Sequence, residues 1–116
     1  IPDSGKYIDA KVDGSNIQIP FREIIYAEHF SHMIHIHTTG GKELITRQSF
    51  EAFTASLKMD PRFYLCSRGV VINLDHAVDF DGALFILDDE SRISVSRKLV
   101  KNARQTFMDF LFQRGH

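Results

Sequence analysis

Three dipeptides, Asp13-Gly14, Gly40-Gly41 and Asp81-Gly82, each separate two short runs that read as strands, and they constrain the fold most tightly. Such dipeptides supply the positive φ that a tight β-hairpin needs, so each sets two strands antiparallel. Runs at 6–12, 16–19, 23–28, 33–38 and 42–45 predict five strands, and 76–80 with 83–87 predict a further hairpin. Residues 63–73 hold two more extended pieces, one of them Val70, Val71 and Ile72. A short helix is expected over 49–58, capped by Ser49, with Phe50, Phe53 and Leu57 on one face and Asp60-Pro61 as its stop. A final helix is expected over 97–113, with Leu99, Ala103, Phe107 and Phe110 facing the body. The fold class that follows is mostly β, with one short helix and a C-terminal helix.

A chain of 116 residues suits a single domain, 1–116, with a real core. It starts at Ile1 rather than Met, so it reads as excised from a longer protein, with frayed ends at 1–5 and 113–116. No apolar run is long enough to span a bilayer, and no signal peptide is legible. One cysteine, Cys66, excludes an internal disulfide framework and suits the cytoplasm.

The net charge of −1 argues against an indiscriminate polyanion binder, but it hides an asymmetry. Residues 91–104 hold Arg92, Arg97, Lys98, Lys101 and Arg104 and no acid, so this stretch carries +5 and the remainder −6. Ser96 reads as a helix N-cap, with Arg97 and Lys98 in the first turn, where cations oppose the helix dipole by about 0.3–1 kcal/mol each. A helix start that is basic by dipole and by side chain suits a phosphate. The bland alternative is a solvated polar face, to which spacing alone gives equal weight. Met108 and Phe112 share a side with the basic stripe, so the helix end is apolar almost all round. Either the β body wraps it or it docks another protein.

Other candidates carry less. His29, His32, His35 and His37 lie within nine residues, but neither zinc-protease spacing nor a cysteine pair supports a metal site. His32, in the tight loop Phe30-Ser31-His32, is placed to offer its imidazole to a ligand. Cys66 is a nucleophile only with a lowered pKa and a nearby base; a packed small residue is the simpler reading. Arg68 beside Gly69 can approach a base edge closely, and Arg is the usual bidentate reader of guanine. Asp88-Asp89-Glu90 lacks the spacing of a calcium loop and reads as a solvated turn. No catalytic motif and no cofactor site is legible, so the expectation is a binding domain without enzymatic activity.

The chain resembles the LytTR DNA-binding domain, the output module of one class of bacterial response regulators. The markers are residues 24–28 (Ile-Ile-Tyr-Ala-Glu), 31–38 (Ser-His-Met-Ile-His-Ile-His-Thr), 63–73 (Phe-Tyr-Leu-Cys-Ser-Arg-Gly-Val-Val-Ile-Asn) and 93–97 (Ile-Ser-Val-Ser-Arg), in the family's order. The resemblance implies an elongated sandwich of small antiparallel sheets whose loops, rather than a recognition helix, enter the major groove of promoter DNA. It implies base reading by His32, Arg68 and Arg97 and phosphate contacts by Ser67, Ser96, Lys98 and Lys101. It further implies pairs of copies on repeated half-sites and an upstream receiver or sensor domain; the lack of a spanning apolar run adds the expectation of no membrane contact by this fragment. Gly69 departs from the pattern, because many members carry a hydroxyl or larger residue there. The rival expectation is a protein-interaction module that uses the apolar end of the last helix.

Overall fold

Asp13 and Gly14 both take positive φ (52° and 79°) and close the hairpin that pairs β1 (Tyr7–Val12) with β2 (Ser15–Pro20). That hairpin opens the computed structural model, which describes residues 5–114. A second sheet joins β3 (Ile24–Phe30), β4 (Met33–Thr38), β5 (Lys42–Thr46), β6 (Phe63–Ser67) and β7 (Val70–Asn73) in the order β5-β4-β3-β7-β6. A third joins β8 (Ala77–Asp81), β9 (Leu84–Leu87) and β10 (Arg92–Ser94) in the order β10-β9-β8. Every pairing is antiparallel. The helices are α1 (Phe50–Ala55) and α2 (Val100–Gln113), the latter led in by a 3-10 turn, Arg97–Leu99. The mostly β architecture expected from the turns is therefore the one adopted, within extents of 40 × 35 × 24 Å.

The five-stranded sheet is the middle layer, because successive strand residues point to opposite faces. Val71 joins a core with Ile8, Ala10 and Ile19 from the first hairpin and Phe53 and Leu57 from the α1 region. Its neighbour Ile72 joins a second core with Phe85, Leu87, Val95, Ala103 and Phe107. A register shift between Ile24 and Tyr26 lets adjacent Ile25 and Tyr26 both serve that second core. Buried Asn73 fastens the layers: its Nδ2 donates to the carbonyls of Phe21 (3.1 Å) and Ile24 (2.9 Å), and its Oδ1 accepts from Asp75 N–H (2.9 Å).

Several boundaries differ from expectation. Ser49 does cap α1, its Oγ accepting from Ala52 N–H at 3.1 Å, but the helix ends at Ala55 rather than near 58. The chain turns through Asp60 N–H to Leu57 O (3.0 Å), which leaves Leu57 in the core and turns Asp60 toward Arg62. At the C-terminus, Gln113 still belongs to α2 and Arg114 pairs with Asp75, so neither is frayed. The expected fraying at 1–4 and 115–116 lies outside the described residues.

Arg114 closes a chain of ion pairs: Lys6–Asp60 (3.1 Å), Asp60–Arg62 (3.0 Å), Arg62–Asp75 (4.0 Å) and Asp75–Arg114. Burial alone would raise the Asp60 carboxyl, but the Arg62 backbone N–H and guanidinium together with Lys6 hold it below the usual range. A depressed folded pKa contributes stability that is complete above the unfolded value of about 3.9 and is lost as pH falls through the folded value. Asp60→Asn is therefore expected to lower stability by about 1–3 kcal/mol at pH 7, with the gap closing toward pH 2. Urea midpoints at both pH values check this, and a gap independent of pH would contradict it.

Candidate nucleic-acid interface

Ser31 and His32 alone join β3 to β4, and both take positive φ (55° and 65°). This is a type I′ geometry, which glycine or asparagine adopts most cheaply. Holding two other residues in the left-handed region costs about 1–2 kcal/mol each, and the result is an exposed imidazole at the tip of a short hairpin.

The β6–β7 connection, Arg68-Gly69, lies at the same end. β7 runs antiparallel to β3 with Val70 opposite Glu28, and His29 N–H donates to Gly69 O at 2.7 Å. A Cβ on Gly69 would meet His29 Cβ at 3.5 Å, an ordinary contact, so space does not forbid a larger residue there. Neighbouring strands lie about 4.8 Å apart, so two strand spacings, about 10 Å, separate the two turns.

The third segment is brought in by backbone hydrogen bonds. Ser96 N–H donates to Cys66 O (3.0 Å) and Val95 N–H to Ala83 O (3.0 Å), which moors the end of β10 beside the end of β6. Tyr64 Oη donates to Asn102 Oδ1 at 2.6 Å and ties the first turns of α2 to the same strand. Arg97 and Lys98 therefore follow directly on a segment held against β6, with Lys101 one turn on. A groove of about 460 Å³ runs between the segments, lined by Glu28, Ser67, Val70, Arg92, Ser94 and Ser96. His32, Arg68, Arg97, Lys98 and Lys101 are exposed, Ser67 and Ser96 half-buried. Among the described residues no hydrogen bond or ion pair occupies the five exposed side chains.

Two expectations change here, and one open alternative narrows. Ser96 makes no side-chain cap: its carbonyl accepts from Leu99 N–H (2.8 Å), a 3-10 turn follows, and α2 begins only at Val100. The mooring to Cys66 takes the place of the cap, and Arg97 and Lys98 sit ahead of the α-helix rather than in its first turn. Arg104 is not a free member of the basic stripe. Its guanidinium lies 5.5 Å from the Phe80 ring centroid and donates to Gly82 O at 3.3 Å. The end of α2 is not wrapped, since Met108, Leu111 and Phe112 are 57%, 41% and 77% exposed.

Arg92, expected only as one charge of the basic stretch, and Glu28, not expected at the site, both line the groove. Arg92 was detectable, because the alternation that turns Ile93 and Val95 inward leaves its neighbour outward. The other three histidines of the 29–37 run have neighbours of their own. His35 Nδ1 bonds Glu43 Oε2 (2.9 Å), and His37 Nε2 bonds Glu28 Oε2 (3.1 Å) while its ring stacks on Tyr26 at 4.1 Å. His29 lies 6.4 Å from the Phe50 ring. Among the described residues no group of three His, Cys, Asp or Glu side chains forms a metal-holding cluster. Burial pushes the Cys66 thiol up to about 12, away from the thiolate that a nucleophile requires.

Comparison with known proteins agrees with this architecture. The chain is similar in fold to the LytTr DNA-binding domain of a methyl-accepting/DNA response regulator from Bacillus cereus, with a TM-score of 0.71 and 19% identity over 88% of this chain and 97% of that one. No curated protein sequence matches. The family model of the LytTr DNA-binding domain matches residues 14–108, a span that takes in all three turn segments. The chain belongs to the LytTR family of DNA-binding domains.

Proposed function

We propose that this domain binds promoter DNA sequence-specifically as the output module of a bacterial transcriptional regulator. In this reading His32, Arg68 and Arg97 meet base edges, while Ser67, Ser96, Lys98 and Lys101 hold the phosphate backbone. Arg92, at the groove wall, joins the backbone contacts. The observation that carries the reading is the convergence of three turns on one end, each presenting an exposed side chain without a partner among the described residues. Phosphate contacts orient a protein on the duplex, and base contacts specify the sequence. The acidic remainder of the chain weakens binding by one copy, which favours two copies on repeated half-sites in a cytoplasmic regulator governed by an upstream receiver or sensor. Among the described residues no helix is long and apolar enough to cross a membrane.

Titration with a duplex enriched from a random pool, repeated across salt concentrations, tests the reading. Three phosphates neutralised by Arg92, Lys98 and Lys101 give a log–log slope of about −2.7, and a flat line would sink it. Arg97→Ala is expected to cost roughly 1–3 kcal/mol and to relax one base position, whereas Lys101→Ala weakens all sequences alike. The exposure of Met108, Leu111 and Phe112 favours a second reading, a protein-docking helix end. That reading predicts self-association or partner capture independent of DNA, visible by sedimentation.

A further inference from the structure

Phe30 is 66% exposed and lies on the rung directly behind the Ser31-His32 tip, paired with Met33. Its ring joins neither hydrophobic core. The ring leans against His35, with centroids 5.7 Å apart in an edge-on arrangement, and His35 is itself held by Glu43 at 2.9 Å. The orientation of this exposed aromatic is thus set by a fixed neighbour rather than by burial. The exposed side chains beside it at the reading end, His29, Ser31, His32 and Arg68, are polar or charged, so this phenyl group is the apolar surface that the hairpin tip can offer to a partner outside the domain.

The hairpin geometry dictates where that partner lies. Only two residues form the turn, and each strand rung behind it recedes by about 3.4 Å. The major groove is about 12 Å wide and about 8.5 Å deep and admits a two-stranded ribbon. If His32 touches a base edge at the floor of the groove, the first rung cannot remain outside it. Phe30 and Met33 share one face of the hairpin, and Met33 is half-buried, so the phenyl ring is the larger apolar surface carried in. The apolar group that the major-groove edge displays is the C5-methyl of thymine.

Resting on the base-reading role proposed for His32, we infer that Phe30 is a further specificity-determining residue, which recognises a thymine methyl beside the base met by His32. The side chain acts by apolar contact, so it distinguishes thymine from cytosine and from uracil without a hydrogen bond.

Single-thymine replacement tests this on the duplex enriched from a random pool by the wild-type chain. Each thymine is replaced in turn by deoxyuridine, which deletes the methyl group and leaves the pairing edge unchanged. At one thymine the wild type is expected to lose about four-fold in affinity, the equivalent of one buried methyl group. Phe30→Ala is expected to show that loss already on the thymine duplex and no further loss on the uracil duplex. Phe30→Leu keeps part of the discrimination. Because the ring is exposed, the thermal midpoint stays with that of the wild type. A thymine-to-uracil ratio that is the same in Phe30→Ala and wild type at every position overturns the inference. So does a loss confined to cooperativity between half-sites, which would assign the ring to a second copy. A pool from which the wild type enriches no sequence overturns the base-reading role itself, and this inference with it.

Discussion

A variant with His32, Arg68 and Arg97 all replaced by alanine is expected to keep only a few-fold preference for an enriched duplex over a scrambled one, the share left to Phe30. Specific sites are held 10³- to 10⁷-fold more tightly than random DNA, about 4–10 kcal/mol, and each good base contact supplies about 1–3 kcal/mol of it. Removing three such contacts therefore removes most of the preference. Residual binding should persist, because Arg92, Lys98 and Lys101 remain, and it should keep nearly the same salt dependence. The fold should be indifferent to the change, since the three side chains are exposed and no interaction within the described residues is lost. His32→Gly sharpens the separation of stability from recognition. It relieves a φ of 65° and should raise stability by about 1 kcal/mol while losing one base contact. Competition binding at fixed salt and thermal melting check both halves, and a triple variant whose preference matches that of the wild type would remove these residues from the reading surface.

The strands were legible because their turns are chemically explicit. Asp13-Gly14 holds positive φ at both positions, and Gly82 provides the positive φ for the turn between β8 and β9. The interface was legible only as separate pieces. Nothing in the sequence around Arg68 states that β7 will pair with β3, and that pairing brings Arg68 to the same end as His32. Ser96 shows the limit most clearly. Serine ahead of a helical run is a sound local signal for a cap, yet a tertiary hydrogen bond to Cys66, thirty residues earlier in the chain, decides the local conformation instead. Ion pairs follow the same rule: Lys6 and Asp60 are 54 residues apart, so neither residue's neighbours reveal the other. Register shifts at Ile24/Tyr26 and Leu65/Ser67 likewise alter which side chains face a core, a change that a strict period of two cannot represent.

Phe85→Ala should destabilise the domain by about 3–5 kcal/mol, a large share of the total for a chain of this size. Phe85 is fully buried and meets Phe80 (4.7 Å), Phe107 (5.7 Å) and Tyr64 (5.9 Å) edge-on, so one side chain joins β8, α2 and β6 through β9. It also lies opposite Ile93 on β10, the strand whose end moors Ser96 to Cys66. Truncation removes the packing between the third sheet and the middle layer, and the Arg97 segment then loses its fixed distance from the Arg68 turn. The loss should therefore appear twice, as a lower urea midpoint and as a weaker preference for the enriched duplex even at temperatures where the variant is fully folded. Phe85→Leu, which keeps most of the volume, should lose about 1–1.5 kcal/mol and retain the preference. If Phe85→Ala lowered stability but left sequence preference intact in the folded protein, the third sheet would be a passive cover, and the mooring at Cys66 alone would position Arg97.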